Sequence, residues 1–204
     1  RKLEAPGAED NIPFADNKIK LLEIFIEESC PIADIKLNEL TKKFPKLNFG
    51  LYIVNSVQEE IGLRGAQMIA ERISPDVAIV TDVTHDTNSP MYDKKKSGDI
   101  KAGSGPALTF GPAVQNNLLD LLIKTADKKK IKYQLMAASR FTGTDTDAFA
   151  YSNDGVASAL ISLPLKYMHT TVETAHKDDI ENCIKLMYES VLAIKKDQDF
   201  RYIK

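Results

Sequence analysis

The chain has 204 residues, 43% of them hydrophobic, and a formal net charge of -2. That length suits one globular domain with a sizeable core, and that charge excludes partners recruited by bulk electrostatics, such as nucleic acid or an anionic membrane surface. The two cysteines, Cys30 and Cys183, are no disulfide framework and point to a reducing, cytoplasmic setting, and no apolar run approaches the ~18 residues of a membrane span. Residues 1–10 hold neither an apolar signal-peptide core nor an initiating Met, so the chain is expected either to begin inside a longer protein or to lack a part of it. In chain order, Asn17 to Glu28 carries Ile19, Leu22, Ile24, Phe25 and Ile26 and predicts a largely buried helix closed by Pro31. A short helix is expected over Asn38–Phe44, ended by Pro45, then a strand over Phe49–Val57 and a helix over Ala66–Ile73. Val77–Asp82 predicts a buried strand. Thr84–Gly103, polar and broken by Pro90 and Gly98, predicts a loop. Pro106–Phe110 and Lys132–Ala137 read as short strands on either side of a helix over Val114–Lys128. A short helix over Asp145–Asn153 leads to a buried strand over Val156–Leu163. The last element is a helix over Lys177–Lys195 with Ile180, Ile184, Met187, Val191 and Leu192 as its apolar side. The lysine runs at 94–96 and 128–130 read as solvated ends. This alternation predicts an α/β sheet with helices on both faces.

In open α/β sheets, sites gather at the carboxyl ends of strands. Glu59 and Glu60 follow one predicted strand, Asp82 ends the next, and His169 follows the strand over Val156–Leu163, while Asp16 precedes the first helix. Four acids and one imidazole could converge at one sheet edge. Like charges there repel, burial worsens the repulsion, and a cation removes it. Carboxylate and imidazole donors suit zinc and its divalent neighbours. Each residue also has an ordinary reading: Asp16 as a helix N-cap worth ~1 kcal/mol, Glu59-Glu60 as a solvated turn, Asp82 as a strand end, His169 as a satisfied structural histidine. His85 and His176 fall in polar segments and are expected to be exposed.

Several stretches, in order, resemble one family. They are ADNK at 15–18, VQEEIGLRGA at 57–66, TDVTHDTNSP at 81–90, GSGPAL at 103–108, TGTDTDAFAYSNDGV at 142–156 and ISLPLKYMHTTVETAHKDDI at 161–180. Together they are similar to the glutamyl, deblocking and tetrahedral aminopeptidases, which are co-catalytic dinuclear metallopeptidases. The resemblance covers nearly the whole chain from Asp16 onward. It implies a mixed, mostly parallel sheet sandwiched by helices, as in zinc-aminopeptidase, phosphorylase/hydrolase-like catalytic domains. It implies two divalent ions, zinc or cobalt with manganese as an option, and short peptides as substrates. By position, Asp16 resembles the carboxylate bridging the two metals. Glu59 resembles the general base, Glu60 and His169 ligands of one metal, and Asp82 a ligand of the other. Gly143, Thr144 and Asp145 resemble the loop shaping the substrate pocket, and Gly103–Pro106 is expected to line the same cavity.

The chain departs from the family in one respect: no histidine precedes Asp16, where the second metal's imidazole is expected. The family's upstream segment and its inserted β-rich oligomerisation domain are also not in this sequence, so the 204 residues read as a single catalytic domain of a protein that assembles as a homo-oligomer. The stretch around Pro31 to Pro45 is longer than the family's usual. Two functions compete: a metal-dependent aminopeptidase acting through a metal-bridged water, and a catalytically degenerate subunit of the same fold with a structural or peptide-binding role. Intact Glu59 favours the first, the absent histidine the second. Glycoside hydrolysis, which also uses two carboxylates, is disfavoured because neighbours on one turn cannot flank a sugar from opposite faces.

Overall fold

The computed structural model of the chain describes residues 47, 49–90 and 92–202, and the backbone of 19–23. Asp16 and Cys30, the helix expected at 38–44 and the segment around Pro31 to Pro45 lie outside the described residues. Seven strands form one sheet among them: β1 (Ile19–Glu23), β2 (Gly50–Val54), β3 (Val77–His85), β4 (Ala107–Phe110), β5 (Gln134–Ala137), β6 (Ala157–Lys166) and β7 (Thr174–Ala175). The order is β2-β1-β3-β6-β4-β5, with β7 on the far end of β6. β2, β1, β3 and β6 run parallel. β4 runs antiparallel to β6 and parallel to β5. The result is the mixed, mostly parallel α/β sheet that the alternation and the resemblance together imply.

One predicted element is corrected. Ile19–Glu23 is a strand, not part of a helix, and pairs with β2 on one side and β3 on the other. A short apolar run such as Ile-Lys-Leu-Leu-Glu fits a buried strand and a buried helix equally by periodicity, and the two open ladders beside it decide the matter.

The helices are α1 (Arg64–Ile73), α2 (Lys94–Ser97), α3 (Asn116–Lys129), α4 (Asp145–Ala150) and α5 (Lys177–Ala193). β3 shows why the sheet needs cover on both faces. Val77, Ala78, Ile79 and Val80 are all buried, so successive side chains, which point to opposite faces, both find apolar neighbours. α1 packs with α4, and α3 packs with α5. α1 approaches through small residues, Ala66 and Ala70, one turn apart and both fully buried. α3 buries Leu118, Leu119, Leu122 and Ala126 and ends at Lys130, whose φ of 54° turns the chain out of the helix.

The buried stripe of α5 differs from the expected one. Cys183, Leu186, Met187, Ser190 and Val191 face inward together with Asp179, whereas Ile180, Ile184 and Leu192 stay partly exposed. Asp179 explains the rotation. Its carboxylate accepts the N–H groups of Gly103 (2.6 Å) and Gly105 (2.7 Å), an anchor that draws this charged residue inward. The Gly-Ser-Gly-Pro stretch is therefore a docking loop, not a wall of the cleft described below. At Gly105 a Cβ would lie 2.5 Å from the Lys132 carbonyl carbon, so only glycine fits.

Candidate active site

The site lies at the carboxyl edge of β2, β3 and β6, where three chain segments turn sharply. After β2, residues 55–63 fold back onto the start of α1. Gln58 (φ 62°), Gly62 (φ 107°) and Leu63 (φ 58°) adopt left-handed backbone. The turn closes with Leu63 N–H donating to the Glu59 carbonyl (3.0 Å) and Gly65 N–H donating to the Val57 carbonyl (2.9 Å). A Cβ at Gly65 would lie 2.5 Å from Val57 N, so this glycine permits the contact that seats the double-glutamate turn. After β6, Tyr167 (φ 58°) and His169 (φ 62°) make a second left-handed turn. His169 N–H donates to the Glu173 carboxylate, which holds that turn.

These turns bring the sequence-predicted residues into one cleft of about 1100 Å³, which Glu59, Glu60, Asp82 and His169 all line. The Glu60 carboxylate meets His169 Nε2 at 3.3 Å, both side chains exposed. Asp82, on the last half of β3, accepts the Val83 N–H at 2.7 Å. Gly143 and Thr144 line the same cleft. Thr144 caps α4 by accepting the Thr146 N–H, and the Asp147 carboxylate holds the loop by accepting the N–H groups of Thr142 (3.1 Å) and Gly143 (2.9 Å). Asp145 sits behind this wall. It is 2% exposed, it accepts the Ser56 hydroxyl at Oδ2, and its Oδ1 has no hydrogen-bond partner among the described residues.

Charge crowding is the site's dominant electrostatic feature. The Glu59 carboxyl is pushed up to about 7 by burial, then by the charges of Asp82, Asp145 and Glu60, with His169 opposing. Asp82 is pushed up to about 6, first by burial, with Asp145 and Glu60 adding and the Val83 N–H and His169 opposing. Such carboxyls resist ionisation because burial strips water from the charged form and the neighbouring carboxylates repel it. The donor chemistry, carboxylates with an imidazole and one orphaned buried carboxylate oxygen, fits a divalent ion. Among the described residues, however, no three His, Cys, Asp or Glu side chains form a complete metal-holding group. Glu60 and His169 are brought together as a pair, Glu59, Asp82 and Asp145 are coupled through their charges, and Asp16 is not described.

Three further features escape a reading from motifs. His85 is the last residue of β3, is half-buried, lines the cleft and stacks on Tyr92 with ring centroids 4.3 Å apart, so it is neither in a loop nor exposed. Burial, with the His169 charge, holds its imidazole below the ordinary value. His176 is exposed as expected, and caps α5. The second feature is the charge of Asp145, felt by both Glu59 and Asp82. The third is a line of side chains along one wall, Leu63 at the N-cap of α1 and Gln67 and Glu71 within it. Their four-residue spacing is visible in the sequence, but only the helix's orientation shows what they face.

Residues 29–186 match the M42 glutamyl aminopeptidase family. The chain is 41% identical over 150 residues to lysyl aminopeptidase of Pyrococcus furiosus, a match covering 74% of this chain and 42% of that protein. Among solved structures, it is similar to an aminopeptidase from the archaeon Desulfurococcus kamchatkensis, with 31% identity and a TM-score of 0.66 over 81% of this chain and 48% of that one. It is also similar to the TET1 peptidase of Pyrococcus horikoshii, which assembles into a tetrahedron or a large octahedral shell, with 27% identity and a TM-score of 0.56 over 71% and 41% of the two chains. The chain spans less than half the length of each of these relatives. The matched residues carry the double-glutamate turn, Asp82, the Thr144 loop and His169 alike, and the chain belongs to the M42 glutamyl aminopeptidase family.

Proposed function

We propose that the protein containing this chain is a metal-dependent aminopeptidase that removes N-terminal residues from short peptides, with Glu59 as its general base. The observation that carries this reading is the position of Glu59. It shares the cleft with Glu60, Asp82 and His169. Glu60, His169, Asp82 and Asp16 would hold divalent ions, zinc or cobalt with manganese acceptable to the same donors. Ions bound there supply positive charge that neutralises the carboxylates and polarises the scissile carbonyl. Glu59 takes a proton from the attacking water as its oxygen bonds to the peptide carbonyl carbon. It returns that proton to the amine nitrogen as the C–N bond breaks. Residues Gly143 and Thr144 shape the wall against which the peptide lies, and Asp145 fixes that wall to the double-glutamate turn through Ser56. The 204 residues form one catalytic domain, and the whole protein assembles as a homo-oligomer, as its TET1 relative does.

The test is Glu59→Gln in the full-length, metal-loaded protein. Hydrolysis of leucyl-p-nitroanilide is expected to fall by about 10²–10⁴-fold with bound metal retained. Undiminished turnover overturns the assignment of Glu59. The second reading is a degenerate subunit of the same fold. It requires that the wild-type protein bind peptide but release no amino acid.

A further inference from the structure

His169 stands in the loop 167–173, between the antiparallel partners Lys166 of β6 and Thr174 of β7. Its imidazole is exposed, so packing does not hold the ring beside Glu60, and the ring's place follows from the backbone that carries it. That backbone is unusual. Tyr167 (φ 58°) and His169 (φ 62°) are both left-handed, a conformation that residues other than glycine adopt rarely. Such residues persist where their surroundings hold them.

Two sets of hydrogen bonds hold this loop. On the near side, the Thr170 N–H and hydroxyl both donate to the Tyr167 carbonyl, at 3.1 and 2.6 Å, and close the turn from Tyr167 to Thr170. On the far side, the Glu173 carboxylate accepts the N–H of His169 itself. This second bond touches the residue that carries the imidazole. A hydrogen bond to an ionised carboxylate is about twice as strong as one between neutral groups. Glu173 directly precedes β7, and β7 is fixed to β6 by the pairing of Leu165 with Ala175 and Lys166 with Thr174. The sheet therefore anchors the carboxylate, the carboxylate holds the His169 backbone, and the backbone places Nε2 3.3 Å from the Glu60 carboxylate.

We propose that Glu173 is a positioning residue: by accepting the His169 N–H it fixes the imidazole beside Glu60, and so sets how tightly that pair holds a divalent ion. The proposal rests on the metal-dependent reading above and concerns the Glu60–His169 pair alone. Without the carboxylate, His169 relaxes toward ordinary backbone angles and its ring swings away from Glu60. Asp82 sits on β3, outside the loop, and keeps its place.

The experiment titrates the full-length, metal-free protein with cobalt(II) and follows the visible absorption of the bound ion. It compares the wild type with Glu173→Ala, Glu173→Gln, His169→Ala and the double variant that combines Glu173→Ala with His169→Ala. Glu173→Ala is expected to weaken one ion about 10–100-fold, the usual effect of removing a group that orients a ligand, and to leave the other unchanged. Glu173→Gln keeps an acceptor of the same reach and is expected to recover most of that loss. Once His169 is gone, losing Glu173 is expected to cost no further affinity, because nothing remains for it to place. Wild-type affinity in Glu173→Ala overturns the proposal. Equal weakening of both ions, or a further loss in the double variant, overturns it too and marks a merely structural role. A wild type that binds cobalt but hydrolyses no peptide overturns the aminopeptidase reading, and the same affinities still decide the role of Glu173. A wild type that binds no cobalt overturns both.

Discussion

At the scale of single residues, the raised carboxyls of Asp82 and Glu59 make a prediction about the metal-free protein. Asp82 rises from 3.8 to about 6, and Glu59 from 4.5 to about 7. A carboxyl whose folded value exceeds its unfolded value favours folding while protonated. That contribution is complete below the unfolded value and is lost as pH climbs through the folded one. The thermal midpoint of metal-free protein should therefore fall between pH 5 and pH 7.5. Asp82→Asn should flatten that fall, and calorimetry at the two pH values measures it; a midpoint indifferent to Asp82 contradicts the crowding argument. Glu59, Glu60, Asp82 and His169 were legible as candidates because each stands where a predicted strand ends. The charge of Asp145 was not, because Ser56, its partner, lies 89 positions away and only the fold joins them.

At the scale of elements, the double-glutamate turn depends on its contact with the first turn of α1. Gly65→Ala forces a methyl group against the Val57 backbone, where neither side can yield without moving the turn. Overpacking of this kind costs about 1–3 kcal/mol. Chemical denaturation should show a loss in that range, and the shifted Glu59 should lower activity beyond what instability explains. A neutral Gly65→Ala contradicts the close approach. Most elements were readable from periodicity, with boundaries moved by a few residues: β3 runs on to His85, and β2 stops at Val54, before the turn. Ile19–Glu23 escapes a reading by periodicity because a five-residue apolar run has no period to measure, and ladder pairing on two sides makes it a strand. Met187 and Val191 face inward as their spacing predicts, while Ile180, Ile184 and Leu192 do not, because Asp179, a charged residue, is buried by its bonds to Gly103 and Gly105.

At the scale of the molecule, the proposed metal dependence should be visible in turnover. Hydrolysis of leucyl-p-nitroanilide should be abolished by a chelator and restored by added zinc or cobalt, because the carboxylate and imidazole donors proposed for the site accept either ion. Turnover that survives the chelator contradicts this. The residue types and their order determined the α/β class, the family and the four cleft candidates, because strand ends, turn glycines and ligand chemistry are local properties of a chain. Tertiary structure decided the rest. Which carboxylates share a field, which face of α5 turns inward, and what Glu71 looks toward all depend on distances between segments far apart in sequence, set by how helices seat on the sheet.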